Sequence, residues 1–190
     1  MKLQKCSSVV LVATLLLCGC AEDTNGDTTG ESAITATYDA ASFDKGYADC
    51  VVAYFDAVQD QNFAAYKQTV YAPYAEAYGN YLESKGKTLE TSFAGLASQF
   101  DEDGYDSWKF TEIRLNYYAQ EDPDDFFETW VKLGIFDEQF VTDCKAEAIA
   151  IHDVEFTLYA LYEGDKEAVP VVQGGEMMMI QTEQGYYLFG

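Results

Sequence analysis

His152 is the only histidine in the 190-residue chain, so whatever imidazole chemistry the protein has must run through it. One imidazole cannot build a multi-histidine zinc site or a two-histidine metal triad. Catalysis of the serine–histidine–aspartate kind needs the ring oriented by a carboxylate. The adjacent Asp153 would point to the opposite side of a regular strand, and no Gly-x-Ser-x-Gly turn is present. His152 therefore reads as a core or pocket histidine ahead of a catalytic one. The acidic clusters are equally incomplete as metal sites. Asp23, Asn25 and Asp27 lack further oxygen ligands and a closing glutamate, and in the turn Asp101 to Asp106 Gly104 is misplaced for an EF-hand loop. Met177 to Met179 read as a strand packed on both faces rather than as soft metal ligands. No metal and no cofactor is expected.

The element that must position His152 is the stretch Cys144 to Tyr162. Its even positions are Cys144, Ala146, Ala148, Ala150, His152, Val154, Phe156, Leu158, Ala160 and Tyr162, while Lys145, Glu147, Asp153 and Glu155 fall at odd positions. Such alternation predicts a strand with one buried face. A strand that long would span about 60 Å and must bend or break, with His152-Asp153 the expected place. A helix through the alanine-rich CKAEAIAI half is the competing reading.

The totals bound what surrounds this strand. At 48% hydrophobic and 15% aromatic, the chain can build one domain with a substantial core. Its 33 acidic and 11 basic residues give a net charge of −22, which repels nucleic-acid phosphates and anionic lipid surfaces. Nucleic-acid binding is excluded on that ground.

Ahead of the strand, spacings of three and four predict helices. Tyr47, Cys50, Val51, Tyr54 and Val58 form one buried stripe. Asn62 caps a short helix carrying Phe63 and Tyr66, a third helix follows Pro73, and Thr88 caps a fourth with Leu89, Phe93, Leu96 and Ala97. Then Trp108 and Phe110 share one parity and Ile113, Leu115 and Tyr117 the other, which predicts a bulge near Thr111-Glu112. Asp122-Pro123 starts a helix that Gly134 stops. After Tyr162, Glu163 to Lys166 and Glu183 to Gly185 mark hairpin turns, Gly174-Gly175 a turn or bulge, and Pro170 an edge or strand-end position. Many tyrosines sit on the helical stripes with hydroxyls at the rim, with sugar stacking the less favoured reading.

At the N-terminus, Lys2 and Lys5 precede an apolar run from Val9 to Leu17 that is too short to span a bilayer. The following Leu17-Cys18-Gly19-Cys20 resembles the lipobox of bacterial lipoproteins. That resemblance implies cleavage before Cys20, a lipid on Cys20, and anchoring to the cell membrane on its extracytoplasmic side; an ordinary signal peptide is the alternative. Residues 1–19 are then signal peptide, 20–37 the lipidated cysteine with a flexible acidic linker, and 38–190 a single domain. In an exported domain, Cys50 and Cys144, both on inward positions, would form a disulfide or remain two buried thiols.

Helices first, then a strand, a short helix and long antiparallel strands closing on Tyr186-Tyr187-Leu188-Phe189 resemble the nuclear-transport-factor-two-like cone fold, the family of ketosteroid isomerases and polyketide cyclases. The fold class expected is α+β, with N-terminal helices packed on a strongly curved, mainly antiparallel sheet. The resemblance implies a ligand in the open end of a cone. Its expected wall is Ala146, Ala148, Ala150, His152 and Val154, with Tyr54 and Trp108. No catalytic residue of that family matches a position here. The leading expectation is a non-catalytic module binding a small apolar ligand or a partner protein. The alternative is an isomerase- or cyclase-type enzyme with His152 as acid or base. Ile149, Ile151, Tyr159 and Leu161 break the polar parity and offer a sheet face for a homodimer.

Overall fold

A computed structural model describes residues 32–101, 107–118 and 123–189. The lipobox with Cys20, Asp23 to Asp27, most of the acidic turn and Asp122 lie outside the described residues. The fold is α+β, with helices packed on a five-stranded, strongly curled half-barrel sheet.

Local sequence explains each helix. Helix α1 (Lys45–Gln59) starts where the Asp44 side chain accepts the Gly46 N–H at 2.8 Å, and it buries Tyr47, Cys50, Val51, Tyr54, Phe55 and Val58. Asn62 caps α2 (Phe63–Gln68), and α3 (Ala72–Ser84) carries Pro73 in its first turn, where a missing N–H costs nothing. Thr88 and Thr91 cap each other's backbone at the start of α4 (Leu89–Ala97), which runs into a 3-10 turn, Ser98–Phe100.

Strand β1 (Thr35–Thr37) pairs in parallel with β2 (Trp108–Tyr117), and β3 (Ala150–Tyr162), β4 (Val169–Thr182) and β5 (Gly185–Leu188) follow in order, each antiparallel to the last. Helix α1 packs against β1, β2 and β5. The expected bulge is present: Phe110 faces Ala160 and Glu112 faces Tyr159, so one residue is skipped and Phe110, Ile113 and Leu115 all become buried. Gly174-Gly175 is a bulge rather than a turn. The register jumps from Phe156↔Gly175 to Leu158↔Val172, and Gly174 takes φ +62°. Pro170 is tolerated because β5 pairs only with the far half of β4, Met179 to Thr182.

Three expectations need correction. Cys144 to Glu147 are not strand but the end of a helix, α6 (Glu138–Glu147), which follows α5 (Pro123–Lys132). The Asp137 side chain caps it by accepting the Phe140 N–H at 2.7 Å, and Glu138 and Lys145 suit the two ends of its dipole. Alanine fits either parity and favours helix, so the alternation across Ala146 and Ala148 carried no information. Between the two helices Gly134 (φ +71°) terminates α5, with the Gly134 N–H on the Val131 carbonyl and the Ile135 N–H on the Trp130 carbonyl. Second, β3 does not bend at His152-Asp153. Those residues pair regularly with Met179 and Met178, and the irregularity lies at Phe156 to Tyr159, opposite the glycine bulge. Even positions are buried from Val154 onward, but Asp153 is buried as well, while His152 is half-buried. Third, the linker ends earlier than residue 37, because Ile34 is buried and β1 joins the sheet.

Candidate functional site

The His152 end of the half-barrel assembles one residue from each of four elements. His152 comes from β3, Tyr117 from the end of β2, Tyr186 from β5, and Tyr47 from the first turn of α1. The Tyr47 ring meets Tyr186 at 4.9 Å and His152 at 5.4 Å, both edge-on, and His152 lies 4.6 Å from Tyr117. The Tyr186 hydroxyl donates to Asp44 Oδ2 at 2.9 Å and accepts from Gln181 Nε2 at 3.1 Å. Gly46 makes this possible, since a Cβ there would sit 2.1 Å from the Tyr186 ring. Burial pushes the Tyr47 phenol well above its ordinary pKa, helped by Tyr117, Tyr186 and Asp44, so it stays protonated. Burial also lowers the His152 pKa, which favours a neutral ring. Among the described residues no carboxylate hydrogen-bonds His152, and the Tyr47 hydroxyl is buried with no hydrogen-bond partner.

The interior around Phe55 is packed with side chains. Phe55 packs against Phe110 at 5.5 Å and Phe156 at 5.4 Å, with Tyr54 edge-on at 4.8 Å, and all four are buried. Of the expected wall, Val154 and Tyr54 are core residues. Ala146 is exposed on α6, Ala148 is its C-cap, and Ala150 is half-buried at the strand start. The small-residue face is broken up because Ala146 is helical and Ala148 is the cap that ends the helix, so only Ala150 lies on the strand. Trp108 does border a recess, but at the opposite end of β2 from Tyr117 and His152. There its Nε1–H donates to Asp101 Oδ1 at 3.0 Å, beside Gln59, Gln61 and Ser98, around a volume of about 250 Å³.

Cys50 and Cys144 are buried thiols rather than a disulfide. Cys50 faces the Tyr186 carbonyl at 3.4 Å, whereas Cys144, carried on α6, packs beside Tyr71, whose hydroxyl donates to Glu147 at 2.6 Å. Moving Cys144 from strand to helix removed the juxtaposition with α1. On the outer sheet face, Ile149 is 60% exposed, but Ile151, Tyr159 and Leu161 are half-buried, and the Arg114 guanidinium lies 4.5 Å over the Tyr159 ring.

A second concavity, missed in the sequence because it needs α6, lies between α5 and α6. The groove encloses about 570 Å³ over a floor of Phe127, Val131 and Val141. Asp124, Asp125, Glu128 and Glu138 line its rim. Its two lysines are engaged internally: Lys132 pairs with Glu128 at 2.7 Å, and Lys145 pairs with Asp124 while lying 5.5 Å over the Phe127 ring. These pairs are exposed and contribute little stability. The sequence signal for this groove was the Asp137 cap with Phe140, Val141 and Cys144 at helical spacing.

Fold and surface together define an α+β half-barrel domain with a filled core, an aromatic cluster at one end and an acidic groove on α5 and α6. No protein family, curated protein or solved structure matches the chain. Among the described residues no helix is long and apolar enough to cross a membrane, and no group of three or more histidine, cysteine or acidic side chains is placed to hold a metal ion.

Proposed function

We propose that the protein is a membrane-anchored, extracytoplasmic lipoprotein whose cone-type domain is a non-catalytic protein-binding module. The lipobox-like Leu17-Cys18-Gly19-Cys20 supports the anchor at Cys20. The observation that carries the binding reading is the α5–α6 groove, an apolar floor inside a rim whose carboxylates outnumber its lysines. Both lysines are held by rim carboxylates, so the groove presents net negative charge around an apolar strip. The occupant it fits is a partner segment with apolar residues on one side and cations flanking them.

The test uses a helical peptide with leucine on one face and lysine on the other, beside a leucine/glutamate counterpart. Val131→Asp in the groove floor is expected to weaken the leucine/lysine peptide about tenfold or more, by burying a charge against leucine. Val169→Asp, at an exposed site on β4, is expected to leave binding unchanged. Equal effects of the two substitutions would reduce the binding to bulk charge attraction and remove the groove.

The alternative, an isomerase- or cyclase-type enzyme around His152, has the unpartnered Tyr47 hydroxyl in its favour. That hydroxyl is sealed from solvent beneath His152 and its neighbours, so a substrate that used it would have to displace one of these rings.

A further inference from the structure

The recess at Trp108 shares no lining residue with the α5–α6 groove, and its chemistry is of another kind. It lies where the C-terminus of α1, the end of α4 and the start of β2 meet. One side is the half-exposed indole of Trp108 with Ala94 and Ala97. The rest is polar, and the internal hydrogen bonds fix what each group has left to offer. Gln59 Oε1 accepts the Phe110 N–H at 2.6 Å, which leaves the Gln59 amide N–H groups as donors. The Ser98 hydroxyl donates to the Gly95 carbonyl at 2.9 Å and the Ser107 hydroxyl to Glu163 at 2.8 Å, so both oxygens remain as acceptors. Asp101 gives one oxygen to Trp108 and keeps the other.

Gln61 supplies an independent observation. It is the non-glycine residue with a left-handed backbone among the described residues, at φ 51°. The Gln61 N–H bonds the Val58 carbonyl at 3.1 Å and the Asn62 N–H bonds the Ala57 carbonyl at 2.9 Å, the helix-ending geometry in which glycine is unstrained. Gln61 thus holds a backbone geometry that glycine would adopt without strain, and its side chain lines the recess, the kind of outlier that points to a use for the side chain.

We infer that this recess binds a neutral polyhydroxylated ligand of the saccharide class, stacked on Trp108 and read by Gln59, Gln61 and Asp101. A sugar hydroxyl both donates and accepts, and the recess presents both kinds of partner side by side with an apolar face for the ring carbons. A volume of about 250 Å³ lies just under the range of drug-sized sites, which suits one pyranose ring. Anionic sugars are disfavoured, because the lining holds the Asp101 carboxylate and, among the described residues, no cation.

The two tryptophans of the chain give two indole N–H signals in a ¹⁵N-labelled sample of the full chain, and Trp130 is buried. Glucose, galactose, N-acetylglucosamine and glucuronate are titrated separately to about 50 mM, a range that detects millimolar binding. The expected result is a saturable shift of the Trp108 signal with at least one neutral sugar and none with glucuronate. Gln61→Gly is expected to fold at least as stably as the parent, by relief of backbone strain, yet to weaken the sugar about tenfold through loss of an amide. No Trp108 shift with any neutral sugar, a shift with glucuronate alone, or unchanged affinity in a folded Gln61→Gly protein would each overturn the assignment.

Discussion

Substituting Gly175 by alanine tests the packing between the sheet and α1 more directly than any other single change. A Cβ at this position would lie 2.4 and 2.5 Å from two carbons of the Phe156 ring and 2.8 Å from a Val172 methyl. Ordinary carbon contacts are about 3.5–4.0 Å, so the ring must retreat by roughly an ångström. Phe156 is buried and already packed on Phe55, so its only way out is to strain its neighbours. Overpacking of this kind costs about 1–3 kcal/mol. Reduced freedom of the unfolded chain offsets about 0.4–1 kcal/mol of it, leaving a net loss near 1–2 kcal/mol. For a domain of this size each kcal/mol lowers Tm by about 2–4 °C, so a fall of roughly 2–8 °C is expected. Urea unfolding of Gly175→Ala, Phe156→Leu and the double variant reads the coupling. Trimming the ring makes room for the new methyl, so the double variant should be more stable than the sum of the singles by about 1 kcal/mol. An unchanged Tm for Gly175→Ala, or strict additivity in the cycle, would refute the register in which Gly175 faces Phe156.

Two further predictions concern titration and thiols. Burial holds His152 below its ordinary pKa of 6.5, so the unfolded chain takes up its proton first as pH falls. Its contribution to stability is present in full above pH 6.5 and is lost between there and its lowered folded value. The stability difference between the parent and His152→Gln should therefore shrink from pH 7.5 to pH 5, and a flat difference would show that the ring is not desolvated. In a full chain with Cys6, Cys18 and Cys20 replaced by serine, an aromatic disulfide reagent at pH 8 without reductant should titrate two thiols on unfolding. Neither should react quickly in the folded state, since both are buried and burial pushes Cys144 up to about 12. A count of zero in denaturant would mean that Cys50 and Cys144 are bonded.

The legible parts of this fold were those where local chemistry and tertiary packing agree. Asn62 and Thr88 mark helix starts by side chains that can accept a backbone N–H, and the structure uses both. The bulge in β2 was readable because apolar residues changed parity with no turn residue between them. The join between α6 and β3 was not readable, since Ala146 and Ala148 satisfy a strand parity and a helix equally well. That one ambiguity moved Cys144, erased the small-residue wall and hid the α5–α6 groove. His152 was placed on the correct strand, but its neighbours Tyr47, Tyr117 and Tyr186 come from three distant segments that no local spacing brings together. The Trp108 recess depends on Gln61, whose backbone geometry is invisible in a string of letters.

Strand β1 has a mechanical consequence. It holds the outer edge of β2 with three residues in parallel register. Tension applied to the chain N-terminal to β1 is delivered to β1 before any other described strand or helix. Three residue pairs in a short ladder are the cheapest part of the sheet to peel, while α1 and the long β3–β4 pairing stay unloaded until they give. Once β1 is stripped away, β2 shows an open backbone edge from Glu112 to Arg114, the shape of surface to which another chain adds a strand.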